Sequence, residues 1–255
     1  MFLFDFDGVL MDSVDEVTVT AFNAVTGAAA RTLGDLPEGV ADRFRRNRFH
    51  AQGAPGIFTL MAGCLEGRGT NSDAPMPAAE YERLLEKATL SPEERRERFF
   101  AARRWFQVDD PTGWLDLNRP YPQVWAAIRR RGPGRTVLMT SKNREATLRL
   151  CRHFGLEMPA ENVFSGDGGT PKPENLDRIH ERFRRDRYTF IDDHLKNLRE
   201  VDAHARKRGI GLRPVLARWG YTGPDAADAA RELGVSVMSR PDLILALESH
   251  PGGLP

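Results

Sequence analysis

Two aspartate pairs follow short apolar runs, Asp5 with Asp7 near the amino terminus and Asp192 with Asp193 far downstream. Between them lie a hydroxyl pair, Thr140-Ser141, and Lys172 flanked by prolines. A carboxylate can attack as a nucleophile or carry a proton to and from a reacting group. An oxygen-only donor set suits a hard divalent cation such as Mg2+, and hydroxyls, free N–H groups and an ammonium can hold the oxygens of a phosphoryl group. Taken singly, each has a plain structural reading: Asp5 and Asp7 as turn chemistry beside Gly8, Thr140-Ser141 as a helix cap, Lys172 as a solvated lysine, Asp192-Asp193 as loop acids. Convergence would lift them above those readings, so the elements that carry them decide the matter.

Residues 2–6 alternate aromatic or aliphatic side chains with aspartate before Asp7-Gly8, which predicts a buried strand ending in a tight turn. Ser13 with Glu16 fits a capping box opening a helix to about residue 30. Helical patterns follow near 38–50, 57–66, 78–88 and 92–107, the last opened by Ser91-Pro92-Glu93-Glu94, with a loop by composition at 67–77 and a changed pattern over 113–122. Beyond Pro120-Tyr121-Pro122 the chain alternates. Strands are expected at 135–140, 162–165, 187–192, 213–218 and 235–238; helices are expected around Val124 and Ile128, around Leu148 and Phe154 with Gly155 as the stop, and near 173–185, 195–208, 225–233 and 241–248, before a frayed end at 249–255. Strands alternating with helices imply right-handed crossovers and an α/β fold, a doubly wound parallel sheet covered on both faces. The expected organisation is a core of residues 1–13 and 118–255 interrupted by an all-helical insertion of residues 14–117. That insertion leaves and returns beside the first strand, so it is expected over the strand's carboxyl end, where ligands bind in open α/β sheets, as a lid. The polar groups then share one sheet edge: Asp5 and Asp7 follow the first strand, Thr140 and Ser141 the second, Lys172 the third, Asp192 and Asp193 the fourth.

Asp5-Phe6-Asp7-Gly8-Val9-Leu10, Leu138-Met139-Thr140-Ser141-Lys142, Lys172-Pro173-Glu174 and Phe190-Ile191-Asp192-Asp193-His194-Leu195-Lys196-Asn197 resemble, in order, the four motifs of haloacid-dehalogenase-like hydrolases, and in particular their phosphoglycolate phosphatase-like members. The resemblance covers residues 1–13 and about 118–240, with the insertion where that family places a helical cap. It implies that Asp5 attacks phosphorus to form an aspartyl phosphate, and that Asp7 protonates the leaving alkoxide and then deprotonates the hydrolytic water. It further implies phosphate contacts from Thr140, Ser141 and Lys172. Because carboxylate and phosphate repel one another, a bridging Mg2+ is expected on the side chains of Asp5 and Asp193 and the backbone carbonyl of Asp7, with Asp192 acting from behind. Dehalogenases lack a carboxylate at the position of Asp7, so phosphoryl transfer is the favoured branch. The fourth motif departs from the commoner Gly-Asp form by carrying Asp192 before Asp193, and Asn197 stands where a later acid is frequent. The expected activity is hydrolysis of a small soluble phosphate monoester, such as phosphoglycolate or a sugar phosphate. Alternatives are a phosphomutase, a nucleic-acid end phosphatase, or a non-catalytic phosphate-binding regulator. A signalling receiver shares the residue types but would be far shorter than 255 residues.

Apolar content of 40% with 29% charged residues is ordinary for a globular protein, and the apolar runs are too short to span a bilayer. The amino terminus lacks the basic flank of a signal peptide, and two cysteines, Cys64 and Cys151, support neither a disulfide framework nor a cysteine metal site. Cytoplasm is the expected compartment. A net charge of +1 carries no membrane or nucleic-acid signal, so neither is an expected partner, and no pattern speaks to oligomeric state. The arginine runs at 43–48 and 95–104 read as solvated helix faces rather than as a second anion site. Phe99, Phe100, Trp105 and Phe106 read as core of the insertion, and His194 as a non-catalytic imidazole.

Overall fold

The computed structural model describes residues 1–68, 74–185 and 187–249, so parts of the expected 67–77 loop and 249–255 tail lie outside the described residues. Two compact units divide the chain, Met1–Asp12 with Pro120–Pro255, and Ser13–Arg119. The chain opens with strand β1 (Phe2–Phe4) and a short strand β2 (Met11–Asp12) before it enters the second unit.

That second unit holds helices α1 (Val14–Thr26), α2 (Val40–Asn47), α3 (Gly53–Leu65), α4 (Ala78–Glu86), α5 (Pro92–Asp109) and α6 (Pro111–Asp116). The capping box expected at α1 does not form: Ser13 makes no side-chain cap. Glu16 is instead fully buried, accepting from Arg103 Nε at 2.8 Å, Arg103 Nη2 at 2.7 Å, Trp114 Nε1 at 3.0 Å and Thr20 Oγ1 at 2.8 Å. An interior carboxylate needs such partners, and they outcompete the local cap. The helix stops at Thr26 rather than near residue 30, because Gly27 adopts φ 73° and its N–H closes on Asn23 O. The box expected at Ser91 does form, with Glu94 N–H donating to Ser91 Oγ and Ser91 N–H to Glu94 Oε2. Helix α3 starts four residues before the expected 57, since Pro55 occupies its first turn, where a missing N–H breaks no helical bond. Helix α6 was not expected; six residues are too few to show a period, and only Asp110 capping Gly113 N–H at 2.9 Å and Pro111 announce it. Phe99 and Phe106 are buried as expected, whereas Phe100 is exposed. Several arginines of the two runs serve this unit internally: Arg45 pairs with Asp15 at 2.6 Å and Arg43 Nε donates to Cys64 O at 3.1 Å.

Strand β3 (Arg119–Pro120) marks the return. Then follow α7 (Pro122–Arg131), β4 (Val137–Met139), α8 (Arg144–His153), β5 (Val163–Phe164), α9 (Lys172–Phe183), β6 (Arg187–Asp192), α10 (Leu195–Arg208), β7 (Gly211–Ala217), α11 (Ala226–Glu232), β8 (Ser236–Met238) and α12 (Arg240–Ser249). Six strands form one parallel sheet in the order β5-β4-β1-β6-β7-β8, with Leu3 aligned to Val137 on one side and Phe190 on the other. The fold is therefore a doubly wound α/β sheet, wound one way through β4 and β5 and the other way through β6, β7 and β8. Its central strands read as unbroken buried runs because both faces are covered. Leu176, Ile179, Leu198 and Val201 of α9 and α10 pack with Leu3, Met139 and Phe190, and each such side chain contributes roughly 1.5–3 kcal/mol by leaving water. Pro214 sits within β7 without loss, because β8 pairs only from Val215 onward and the missing N–H falls on an unpaired side. No described helix is long and apolar enough to cross a membrane.

Candidate active site

Reversal of the winding direction at β1 opens a crevice at the carboxyl ends of β4, β1 and β6. Asp5 follows β1 directly. Its N–H donates to Ile191 O at 2.9 Å, which extends the β1–β6 ladder one residue and fixes the backbone, while Phe6 N–H donates to Asp5 Oδ1 at 2.8 Å. The other oxygen, Oδ2, lies 2.9 Å from Lys172 Nζ. Lys172 also donates to Asp192 Oδ2 at 2.5 Å, so one buried ammonium clamps two buried carboxylates that arrive from different strands. Lys172 is the first residue of α9 rather than a loop residue ahead of it as expected. Pro171 caps the helix and Pro173 is its second residue, two positions where an absent N–H is harmless.

Asp192 is fully engaged. Beyond Lys172 it accepts from His194 N–H at 2.7 Å and from Asn197 Nδ2 at 3.1 and 3.0 Å, so Asn197, at a position where an acid is more usual, orients this carboxylate. His194 contributes its backbone to the site. Asp193 accepts from Tyr221 N–H at 2.7 Å. Asp5, Asp192 and Asp193 offer carboxylate oxygens within 4.8 Å of one another, a metal-capable cluster among the described residues.

Two glycines permit this crowding. Gly8 has φ +82°, and a Cβ there would fall 2.0 Å from Asp193 Oδ2; a Cβ on Gly220 would fall 2.3 Å from Asp193 Cβ and 2.5 Å from Gly8 O. The Trp219-Gly220-Tyr221 loop, anchored by Trp219 Nε1 donating to Val9 O at 3.0 Å, was missed by the sequence reading.

Thr140 is buried behind β4, its N–H on Phe164 O at 3.0 Å, and its Oγ1 accepts from Lys142 N–H at 3.1 Å. Ser141 is exposed and stands three residues ahead of α8, whose cap is Asn143, so Thr140-Ser141 does not form the helix cap that its residue types suggest. No role was expected of Lys142 beyond its place in the second motif. Its Nζ reaches Asp7 Oδ1 at 3.1 Å and Oδ2 at 3.3 Å.

Burial pushes the Asp5 carboxyl up to about 7; the Lys172 charge pulls it down, and the Asp192 and Asp7 charges push it up again. Burial alone would lower Lys172, but the Asp192 and Asp5 carboxylates overcome that and hold it above the ordinary lysine value. The cluster of Asp5, Asp7, Asp192 and Asp193 against Lys142 and Lys172 carries a formal charge of −2 with all groups ionised. An all-oxygen donor set with that surplus fits one hard divalent cation.

A haloacid dehalogenase-like hydrolase family model matches residues 1–199. Comparison with curated proteins returns no match. Among solved structures, a predicted phosphatase from Clostridium acetobutylicum is 17% identical with a TM-score of 0.61, each chain covered over 97%. A predicted phosphoglycolate phosphatase from Haemophilus somnus is 14% identical with a TM-score of 0.57 and 96% coverage of each chain. Protein Tyrosine Kinase A from Mycobacterium tuberculosis is 21% identical with a TM-score of 0.52, again with 96% of each chain covered. At these identities the likeness concerns the fold.

Proposed function

Because the chain belongs to the haloacid-dehalogenase-like hydrolases, we propose that it is a Mg2+-dependent phosphatase of small phosphate monoesters that works through an aspartyl phosphate on Asp5. One observation carries this reading: Lys172 holds Asp5 against Asp192 at the same sheet edge where Asp7 lies on Lys142. Phosphoryl transfer asks for a placed nucleophile, neutralised phosphate charge and a proton for the leaving group, and little else.

In the first step an oxygen of Asp5 bonds to phosphorus, the ester P–O bond breaks, and the departing alkoxide takes the proton of Asp7. In the second, water gives a proton to Asp7 and its oxygen bonds to phosphorus; the bond to Asp5 breaks and inorganic phosphate leaves. Lys172 and the Thr140 hydroxyl, whose oxygen already accepts from Lys142 N–H, would take phosphate oxygens, joined by the exposed Ser141. The side chains of Asp5 and Asp193 with the backbone carbonyl of Asp7 would hold Mg2+, which when bound supplies Lewis-acid stabilisation of the phosphoryl charge. Asp192, saturated by Lys172, His194 N–H and Asn197, is assigned to holding Lys172 in place. We assign leaving-group selection to the helical unit, inserted where the chain leaves β2 and returns at β3. We further place the enzyme in the cytoplasm, consistent with two buried free cysteines.

Asp5→Asn is expected to abolish Mg2+-dependent release of phosphate from an aryl phosphate, a loss of at least ~10³-fold for removal of a nucleophile. Retained turnover in that variant overturns the assignment. Release of inorganic phosphate rather than an isomerised sugar phosphate separates hydrolysis from mutase activity.

A further inference from the structure

We propose that Lys142 is a positioning residue for proton transfer: its ammonium holds the Asp7 carboxyl group at the leaving-group side, as the acid of the first step and the base of the second, and keeps it off Lys172 and the metal ligands. This rests on the phosphatase reading above.

The Lys142 side chain is 2% exposed, and Asp7, 28% exposed, is its ion-pair partner at 3.1 Å. An ammonium withdrawn from water needs a partner of opposite charge, and Asp7 is the one the fold brings to Lys142. The second strand end also fixes the residue by its backbone, since Lys142 N–H donates to Thr140 Oγ1 at 3.1 Å. The same residue thus ties the hydroxyl assigned to phosphate to the acid assigned to the leaving group.

Two ammonium groups divide the carboxylates between them. Lys172 takes Asp5 and Asp192, and Lys142 takes Asp7. Asp7 lies near enough to Asp5 for the two charges to act on one another. Without Lys142, the Asp7 carboxyl group loses the cation that holds it apart from the carboxylates paired to Lys172. Charge alone does not fix that separation; the span of 135 residues between Asp7 and Lys142 is bridged by β1–β4 pairing, which makes the arrangement as rigid as the sheet.

Leaving-group chemistry supplies the test. A nitrophenolate departs without a proton, whereas an alkoxide does not. The quantity to measure is kcat/KM, which ends at formation of the aspartyl phosphate, for p-nitrophenyl phosphate and for glycerol phosphate in wild type, Lys142→Met and Lys142→Arg. Lys142→Met is expected to lose at least ~10-fold on glycerol phosphate and little on the nitrophenyl ester, and Lys142→Arg is expected to recover most of the alkyl-ester rate. Equal loss on both esters, or no loss on either, overturns the inference while leaving the phosphatase reading intact. A wild-type protein inert toward both esters overturns the phosphatase reading and this inference with it. Should Lys142→Met fail to fold, Lys142→Gln carries the same comparison.

Discussion

A carboxylate that is to attack phosphorus must be ionised, yet Asp5 sits where burial opposes ionisation and the neighbouring Asp192 and Asp7 add to that opposition. Lys172 relieves the conflict only in part, leaving the group at about 7, and the divalent cation of the proposed function would complete it. The sign is definite. An acid whose folded value stands above its unfolded one contributes stability that is present at low pH and lost as pH rises through the folded value, here about 7. The metal-free protein is therefore expected to lose stability across that window, and Mg2+ to restore more of it at about pH 8 than at about pH 5.5. Thermal melting with and without Mg2+ across that range checks this, and a Mg2+-induced shift that stays constant with pH excludes Asp5 as a ligand. Asp5, Asp7, Thr140, Lys172, Asp192 and Asp193 were expected together because they lie at or just beyond expected strand ends and within motifs that resemble those of one family, and the structure brings Asp5, Lys172, Asp192 and Asp193 to one place. Lys142 stood in plain view beside Thr140, but its meaning lies in a partner 135 residues away, and residue type alone does not name that partner.

At the level of elements, the loops behind the carboxylates matter as much as the strands that carry them. The Trp219-Gly220-Tyr221 turn presses its backbone against Asp193 and donates Tyr221 N–H to it at 2.7 Å. Gly220→Ala forces a Cβ to within 2.3 Å of Asp193 Cβ, so Asp193 must move. Groups that orient a metal ligand typically matter 10–100-fold in affinity, and a weakening of roughly that size for Mg2+ is expected on calorimetric titration, with the α/β core still folded by circular dichroism. Unchanged affinity would show that the turn does not set the ligand. Long periodic elements were legible: β6 and α10 fall on their expected residues because a strand with five consecutive buried residues and a helix stopped by Gly209 in the left-handed conformation leave little freedom. Short or locally ambiguous ones were not. Helix α6 is too brief for a period, and the Ser13-Glu16 box lost to a buried network around Arg103 and Trp114 that only tertiary structure assembles.

Over the whole chain, a parallel sheet wound outward in both directions from β1 brings residues near positions 5, 140, 172 and 192 to one edge, although they are far apart in sequence. That topology was readable because the hydrophobic period changes from helical to alternating strand and helix after Pro122. Chemistry then follows from where the strands end rather than from any single motif. The most direct trial of this account is rapid quenching of wild-type protein during turnover of a phosphate monoester with Mg2+, followed by mass spectrometry of its peptides. One phosphoryl group on the peptide bearing Asp5, labile to base and absent in Asp5→Asn, is the predicted result. Steady release of phosphate with no protein-bound phosphoryl group at any quench time, or with the group on another residue, would contradict it.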